Sequence, residues 1–335
     1  MSNKIYEQGL FNEEQKNRFL KDLTQNTYAA YLRVLNRAKS LEEQLEKDLY
    51  DFNIYEIEKL IDYLNPNTLS SVTTSVSVIQ NYIRWSIEQD LRGNNLNPLD
   101  AIVGDEFYRK FIDKSNKVIF SLSEIEDITG GLVNFQDSAI VQAIFEGVMG
   151  KRYSEILNLT IQDIDEENNE LLLKNEVNEH EIVERKLKVS PELIKMLIKA
   201  AEETEYYKNN GNPSVKVKSP TANLSKSNYV FRNTLLNTKE IDRADYFLVF
   251  RRLKKIADWN EQPYLTGINI RNSGMLYMAN LLYKNSQKLE KPEIDCICEA
   301  FNISKIKNSN DYHTTKFRKE FLNIDKIIEV YGAGE

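Results

Sequence analysis

The chain has 335 residues, 41% hydrophobic and 28% charged, with a formal net charge of -7 at pH 7. That length favours two domains, each with its own core. No stretch approaches the roughly 18 apolar residues of a membrane span, and the charged first residues lack the apolar segment of a secretion signal. Cys296 and Cys298, two apart, are poor material for a disulfide or a metal site. A cytoplasmic protein without metal or other cofactor is expected.

Gly and Pro are scarce, at 12 and 7, while Leu, Ile, Lys and Glu abound, so helix should dominate. Residues 12–23 predict a short amphipathic helix. A second runs from Thr27 to Leu45, with Tyr28, Leu32 and Leu35 on one face and Arg33 and Arg37 on another. Ile54–Leu64 is a third, stopped by Asn65-Pro66-Asn67. In the fourth, Val72, Val76, Ile79, Ile83 and Ile87 recur at helical spacing, and Asn97-Pro98 closes the block. The polar stretch from Lys110 to Ile119 reads as a linker. The expected boundaries are 1–112 for an N-terminal helical domain, 113–120 for the linker and 121–335 for the remainder.

The remainder opens with Ser123 followed by acids, a helix start. Asp137–Val148 predicts an apolar helix that Gly150 ends, and another helix runs from Ser154 to about Leu159. Leu171–Lys174 and Ile182–Val189 read as two strands around the polar turn NEVNEHE. Pro191 begins a helix with Leu193, Ile194, Leu197 and Ile198 as its stripe. Residues 208–228 read as a long polar loop, and everything after Tyr229 as helix. The fold class is therefore mainly α with a small antiparallel β-sheet.

The acidic total argues against nucleic acid, yet the charge is uneven. Acids crowd the stretch from Phe120 to Glu170. From Lys208 to Arg232 there is no acid, against Lys208, Lys216, Lys218, Lys226 and Arg232. Local field matters more than net charge for binding phosphate. A solvated loop is the plainer reading of such a run.

The window GKRYSEILNLTIQDID, Gly150–Asp165, resembles the first-arginine motif of tyrosine recombinases, of form G-x-R-x-S-E-x-x-x-L followed by D-I-D. Gly150, Arg152, Ser154, Glu155, Leu159, Asp163, Ile164 and Asp165 all fall in register. A glycine helix stop followed by a capped helix would explain Gly150 and Ser154, but not the whole ladder. The N-terminal block looks like the family's SAM-like core-binding domain, and SLSEIEDI like the opening of its catalytic domain. The resemblance implies a tyrosine recombinase fold: an N-terminal helical core-binding domain plus a C-terminal, mostly helical catalytic-like domain.

Further correspondences follow from it. Lys174 is the candidate for the family's hairpin lysine. LTGINIRNSG resembles the segment of the second arginine, here Arg271. FNISKIKNSNDYH resembles the segment of the nucleophilic tyrosine, here Tyr312, although one match among 18 tyrosines is also open to chance. In such enzymes the tyrosine attacks a DNA phosphodiester, arginines hold the developing charge, and a lysine and histidines move protons. The histidine positions are here Ile268, three before Arg271, and Ile303, nine before Tyr312. The chain's two histidines, His180 and His313, fill neither. Arg152, Lys174, Arg271 and Tyr312 thus read as vestiges, and no working catalytic set is expected.

The resemblance implies double-stranded DNA as partner and no membrane. It leaves room for a homo-oligomer on DNA and for a protein or peptide regulator. Besides Arg152, Lys174 and Arg271, the candidate DNA contacts are Arg33, Arg37, Arg84, Lys186, Lys188, Arg251, Arg252, Lys254, Lys305 and Lys307. A fold that keeps DNA binding and loses cleavage suits a repressor, and the chain is similar to the recombinase-like master repressors that maintain lysogeny in SPβ-type prophages. The alternatives are an active but divergent integrase cutting through Tyr312 and a protein-interaction module. The tail with Phe317, Phe321, Ile324, Ile327 and Ile328 is open to exchange between protomers or to packing on its own domain.

Overall fold

Apolar stripes at helical spacing are buried in two separate places in the computed structural model, which divides into units Met1–Asn116 and Lys117–Glu335. The structure describes residues 9–21, 23–66, 69–102, 104–112, 117–178, 181–213, 219–235 and 243–332. His180, Lys216 and Lys218 lie outside the described residues.

The first unit holds α1 (Glu13–Leu20), α2 (Gln25–Leu45), α3 (Ile54–Leu64), α4 (Leu69–Glu88) and the short α5 (Glu106–Arg109). Asn53 starts α3 with a capping box to Glu56, and Asn65 ends it in the left-handed conformation at φ 46. The helices close over a core that includes Leu35, Leu49, Phe52, Ile61, Ile79 and Ile83. Phe111, inside the expected linker stretch, is 8% exposed and belongs to this core.

The second unit opens with α6 (Leu122–Gly130). Its N-cap is Ser121 rather than Ser123: the Ser121 hydroxyl accepts from the Glu124 amide, and the Glu124 carboxylate accepts from the Ser121 amide. Next comes α7 (Phe135–Phe145), buried from Gln136 to Phe145. A helix buried all round needs no polar face, so periodicity marks its limits poorly. It stops at Phe145 instead of Val148, because Gly147 turns the chain at φ +99. A short α8 (Ser154–Leu157) follows.

A three-stranded antiparallel sheet has the order β1 (Ile164–Asp165), β2 (Glu170–Asn178), β3 (Glu181–Lys188). Most of the stretch taken for a polar turn is strand: Asn175 pairs with Val183 and Glu176 with Ile182. Alternation of polar with half-buried residues is compatible with a sheet that has one wet face. After α9 (Pro191–Glu202), β4 (Glu205–Tyr207) pairs with β5 (Thr221–Asn223), which lies inside the stretch 208–228 expected to be loop.

The chain beyond Tyr229 is not helical at once. Tyr229 bridges to Thr160 and Thr234 to Leu224. The Gln136 side chain holds this segment extended, donating to the Val230 carbonyl and accepting from the Arg232 amide. Helices resume with α10 (Tyr246–Trp259), α11 (Gly267–Ser286), α12 (Lys291–Ala300), α13 (Thr315–Glu320) and α14 (Ile324–Tyr331). Between α12 and α13 the chain folds back through a turn, with Lys305 bridged to Tyr312 and the Ile306 amide donating to the Asp311 carbonyl. The tail packs on its own unit: Phe321, Leu322 and Ile327 are buried with Met275 and Leu276 of α11. Among the described residues no helix is long and apolar enough to cross a membrane.

Helices α7 and α11 touch backbone to backbone at Gly274. A Cβ there would lie 1.7 Å from the Phe145 carbonyl oxygen. Gly274→Ala must therefore push two helices apart and is expected to cost about 3 kcal/mol or more in denaturant unfolding. Gly130→Ala, where an added Cβ meets nothing within 4 Å, should be neutral or stabilise by about 0.5 kcal/mol. Equal effects of the two would contradict this contact.

Candidate nucleic-acid interface

The segment Gly150–Asp165 is fastened to β2 residue by residue. Gly150 sits at φ +68, and a Cβ there would lie 2.6 Å from the Ser154 hydroxyl and 2.7 Å from the Glu155 amide, so only glycine fits. The Lys151 amide and the Ser154 hydroxyl donate to Asn175 Oδ1 at 2.8 and 2.9 Å. The Lys151 ammonium donates to the Val177 carbonyl at 2.6 Å. Arg152 and Tyr153, at φ 52 and 62, are held left-handed, a strain of about 1–3 kcal/mol each. The outcome is an exposed Arg152 whose guanidinium lies 5.7 Å from the ring centre of Tyr246.

Beneath this loop, Glu155 is wholly buried. Arg185 of β3 gives its carboxylate two hydrogen bonds, at 2.7 and 2.9 Å. Arg185 also donates to the carbonyls of Gly147 and Ala300, both at 2.8 Å. Asn302 and the Met149 amide complete the shell of Glu155, at 3.1 and 3.0 Å. One ion pair thus joins the end of α7, the first-arginine loop, β3 and the end of α12. The sequence reading did not single out Arg185. Its signal was parity: Arg185 shares a strand face with Leu187, which is 8% exposed, whereas Lys186 and Lys188 face water.

Tyr153 carries the loop on to α11. A Cβ at Gly267 would lie 2.5 Å from the Tyr153 hydroxyl oxygen. Burial there pushes the Tyr153 phenol above its ordinary pKa. One turn further along α11, the Arg271 guanidinium lies 5.7 Å from the Phe317 ring centre and donates to Asn272 at 3.1 Å. Its Nε is buried without a hydrogen-bond partner, and among the described residues no carboxylate pairs with it. Burial pulls this guanidinium below its ordinary pKa. Such a group, half-buried and not neutralised, is poised for an anion.

Other expected residues fare differently. Lys174 is tied to Asp163 at 2.6 Å. Burial, which raises the Asp163 carboxyl, is outweighed by hydrogen bonds from Lys174 and Thr160, which hold it below its ordinary range. Ile268 is 56% exposed in the first turn of α11, and Ile303 is half-buried against the α11–α12 cluster. Tyr312 is half-buried in that cluster, with the Lys305 ammonium 5.2 Å from its ring centre. Lys307 and His313 are exposed.

Arg252 leaves the candidate set. It is 5% exposed on the inner face of α10, 3.5 Å from the Asp137 carboxylate and bonded to Gln136 and the Arg232 carbonyl. Helical spacing explains it: Arg251, Lys254 and Lys255 are exposed on the opposite side with Phe247 and Phe250. The acid-free run does not act as one strip either, since Arg232 is buried on the carbonyls of Ala200, Ala201 and Glu203. Lys186 pairs with Glu170 at 2.6 Å, and Lys188 is exposed. In the first unit Arg33 is exposed, Arg37 half-buried and bonded, and Arg84 paired with Asp100 at 2.7 Å. An unforeseen cation, Arg243, pairs with Glu176 at 3.0 Å. It lines a hollow of about 440 Å³ with Lys151, Arg152, Asn178 and Tyr246. Among the described residues no cluster of three metal-ligating side chains occurs.

Residues 119–332 match the family described as MrpR, C-terminal catalytic domain, and residues 10–88 the one described as MrpR, N-terminal core-binding domain. The chain belongs to the MrpR family. By those matches it combines an N-terminal core-binding with a C-terminal catalytic-type domain. Among similar proteins is the SPbeta prophage-derived uncharacterized protein YopR of Bacillus subtilis strain 168, 29% identical over 325 residues, which are 96% of this chain and 97% of YopR. Similar solved structures include XerA recombinase, at 14% identity and TM-score 0.42 over 95% of this chain and 97% of that one. Another is a lambda integrase tetramer bound to a Holliday junction, at 11% identity and TM-score 0.45 over 85% and 76%.

In this MrpR-family chain, Arg185→Met leaves the Glu155 carboxylate buried without a counter-charge. The expected loss is about 3 kcal/mol in urea unfolding. Adding Glu155→Gln should restore part of that loss, because the buried charge is gone. Strict additivity of the two changes would sink the coupling.

Proposed function

We propose that this protein is a sequence-specific double-stranded DNA-binding protein with a recombinase-like fold and a lapsed cleavage centre, acting as a transcriptional repressor that keeps a prophage lysogenic. The observation that carries the reading is the contrast along one turn of α11. Arg271 keeps a half-buried guanidinium that no carboxylate among the described residues pairs with, while Ile268, at a position where the resemblance implies a histidine, is exposed and cannot move a proton. Arginine forks suit phosphate whether or not it is cut. The isoleucines remove groups worth about 10²–10⁴ each in rate, and Lys174 is held by Asp163. Arg152, Arg271, Arg33, Arg84, Lys186, Lys188, Arg251, Lys254, Lys305 and Lys307 form the proposed contact set, with Arg37 through its own bonded position. The similarity to a protein of the SPbeta prophage supports the prophage setting. A homo-oligomer on the target and a protein or peptide regulator belong to the same reading.

A second reading, a divergent integrase cutting through Tyr312, draws on the placement of Tyr312 beside Lys305. Two measurements test these readings: the first tests DNA binding itself, and the second separates repressor from integrase. Fragments that co-purify with the protein, used in gel shifts, should lose affinity steeply with salt. Arg152→Ala and Arg271→Ala should each weaken binding about tenfold or more and lower the salt slope by about 1. Unchanged slopes in both variants would remove these arginines from the interface.

A nicked target that traps covalent intermediates should yield no adduct, and Tyr312→Phe should repress as the parent does. A Tyr312-dependent adduct would establish the second reading.

A further inference from the structure

The first unit buries three ionisable side chains at one spot. Lys16 of α1 is fully buried, its ammonium 2.5 Å from Glu42 Oε1 on α2 and 3.7 Å from Asp48 Oδ2 in the turn that follows. It also donates to the Phe11 carbonyl at 2.8 Å, with the rings of Phe11 and Tyr82 each 5.5 Å away. Glu42 is fully buried and Asp48 is 5% exposed. Glu42 Oε1 takes a further bond from the Leu49 amide at 2.7 Å. Glu42 Oε2, Asp48 Oδ2 and the Tyr82 hydroxyl are buried with no hydrogen-bond partner.

The charges do not balance. One ammonium faces two carboxylates, which leaves a net charge of about -1 in an apolar setting, a costly arrangement. Among the described residues no second cation relieves it: Lys47 pairs with Glu56 at 2.7 Å, and Arg92 donates to the carbonyls of Tyr50 and Phe52. The remaining neighbours, Tyr50 and Asp51 from the turn and Tyr82 from α4, are neutral or acidic. One proton on the carboxylate pair would remove the excess charge and supply a donor to an orphan oxygen. Burial pushes the Glu42 carboxyl up to about 7, with Asp48 adding to the rise and Lys16 opposing it.

We propose that Lys16, Glu42 and Asp48 form a proton-operated latch on α1: with one proton on the carboxylate pair α1 stays docked on α2 and α4, and loss of that proton loosens it. Lifting α1 uncovers Glu42 and returns it toward its ordinary 4.5. The docked state then holds more protons between 4.5 and about 7, so docking is strongest at the acid end, weakens as pH rises through that window, and is constant above it. Loosening would also bare Phe19, which packs among Tyr31, Tyr82 and Trp85. This inference is independent of the proposed DNA function.

Amide hydrogen exchange of α1 in the full chain, corrected for intrinsic rates, tests it between pH 5.5 and 8. The expected opening constant rises by up to about tenfold per pH unit and levels off near neutrality. Glu42→Gln should flatten the profile, and Asp48→Asn, which balances Lys16 against Glu42, should move the slope to lower pH. If Glu42→Gln does not fold, Asp48→Asn alone decides. A flat profile in the parent, or a parental slope that persists unshifted in the folded variants, overturns the proposal.

Discussion

The buried ion pair between Glu155 and Arg185 is the constraint on which the second unit's exposed face depends. An uncompensated carboxylate at that depth is untenable, so Arg185 has to reach it from β3. The geometry that satisfies Glu155 leaves Arg185's other donors aimed at the carbonyls of Gly147 and Ala300. Those carbonyls close α7 and α12, so the same guanidinium caps two helices and pins the loop that presents Arg152. The left-handed Arg152 and Tyr153 are tolerable only because this scaffold, with Asn175 and Val177 of β2, leaves them little alternative.

Arginine plays two opposed parts in this unit. Arg185, Arg232 and Arg252 are drawn inward and give most of their donors to carbonyls or acids, although the Arg232 Nε is buried without a partner. Arg152 and Arg271 rest on aromatic rings, and among the described residues neither is in an ion pair. The aromatic faces support the planar cation without quenching its charge. A chain of net charge -7 can still carry local positive sites, because the field at a site is set by its nearest groups rather than by the total.

Much of this was legible from residue order. The stop of α3 at Asn65 and the stripe of α4 act through near neighbours, so local pattern reports them, and the ladder Gly150–Asp165 is legible as a motif although its fastenings lie on β2 and β3. Apart from the N-cap of α6, which is Ser121 and not Ser123, what local pattern missed has a distant partner. Lys16 lies 26 residues from Glu42 and Arg185 30 from Glu155; in sequence both look like surface charges. Arg252 was misplaced because four cations in five positions read as one cluster until the helix period sorts them. Gln136 holding Val230 and Arg232 turned an expected helix into an extended segment, through a contact that no window of neighbouring residues contains. The proposed contacts rest on the motif and on the exposure of the cations, with Glu176 and Asp245 lining the same hollow as Arg152.

The backbone contact of Gly274 with Phe145 has a thermodynamic meaning beyond packing. Two helices that touch without intervening side chains cannot slide, so α11 is fixed against the buried α7. Arg271, one turn ahead on α11, inherits that rigidity, with Phe317 against its guanidinium and its Nε already out of water. Ordering a free arginine side chain costs about 2 kcal/mol of rotamer entropy. Here much of that loss occurs when the chain folds, so an arriving phosphate meets a cation that has little freedom left to surrender.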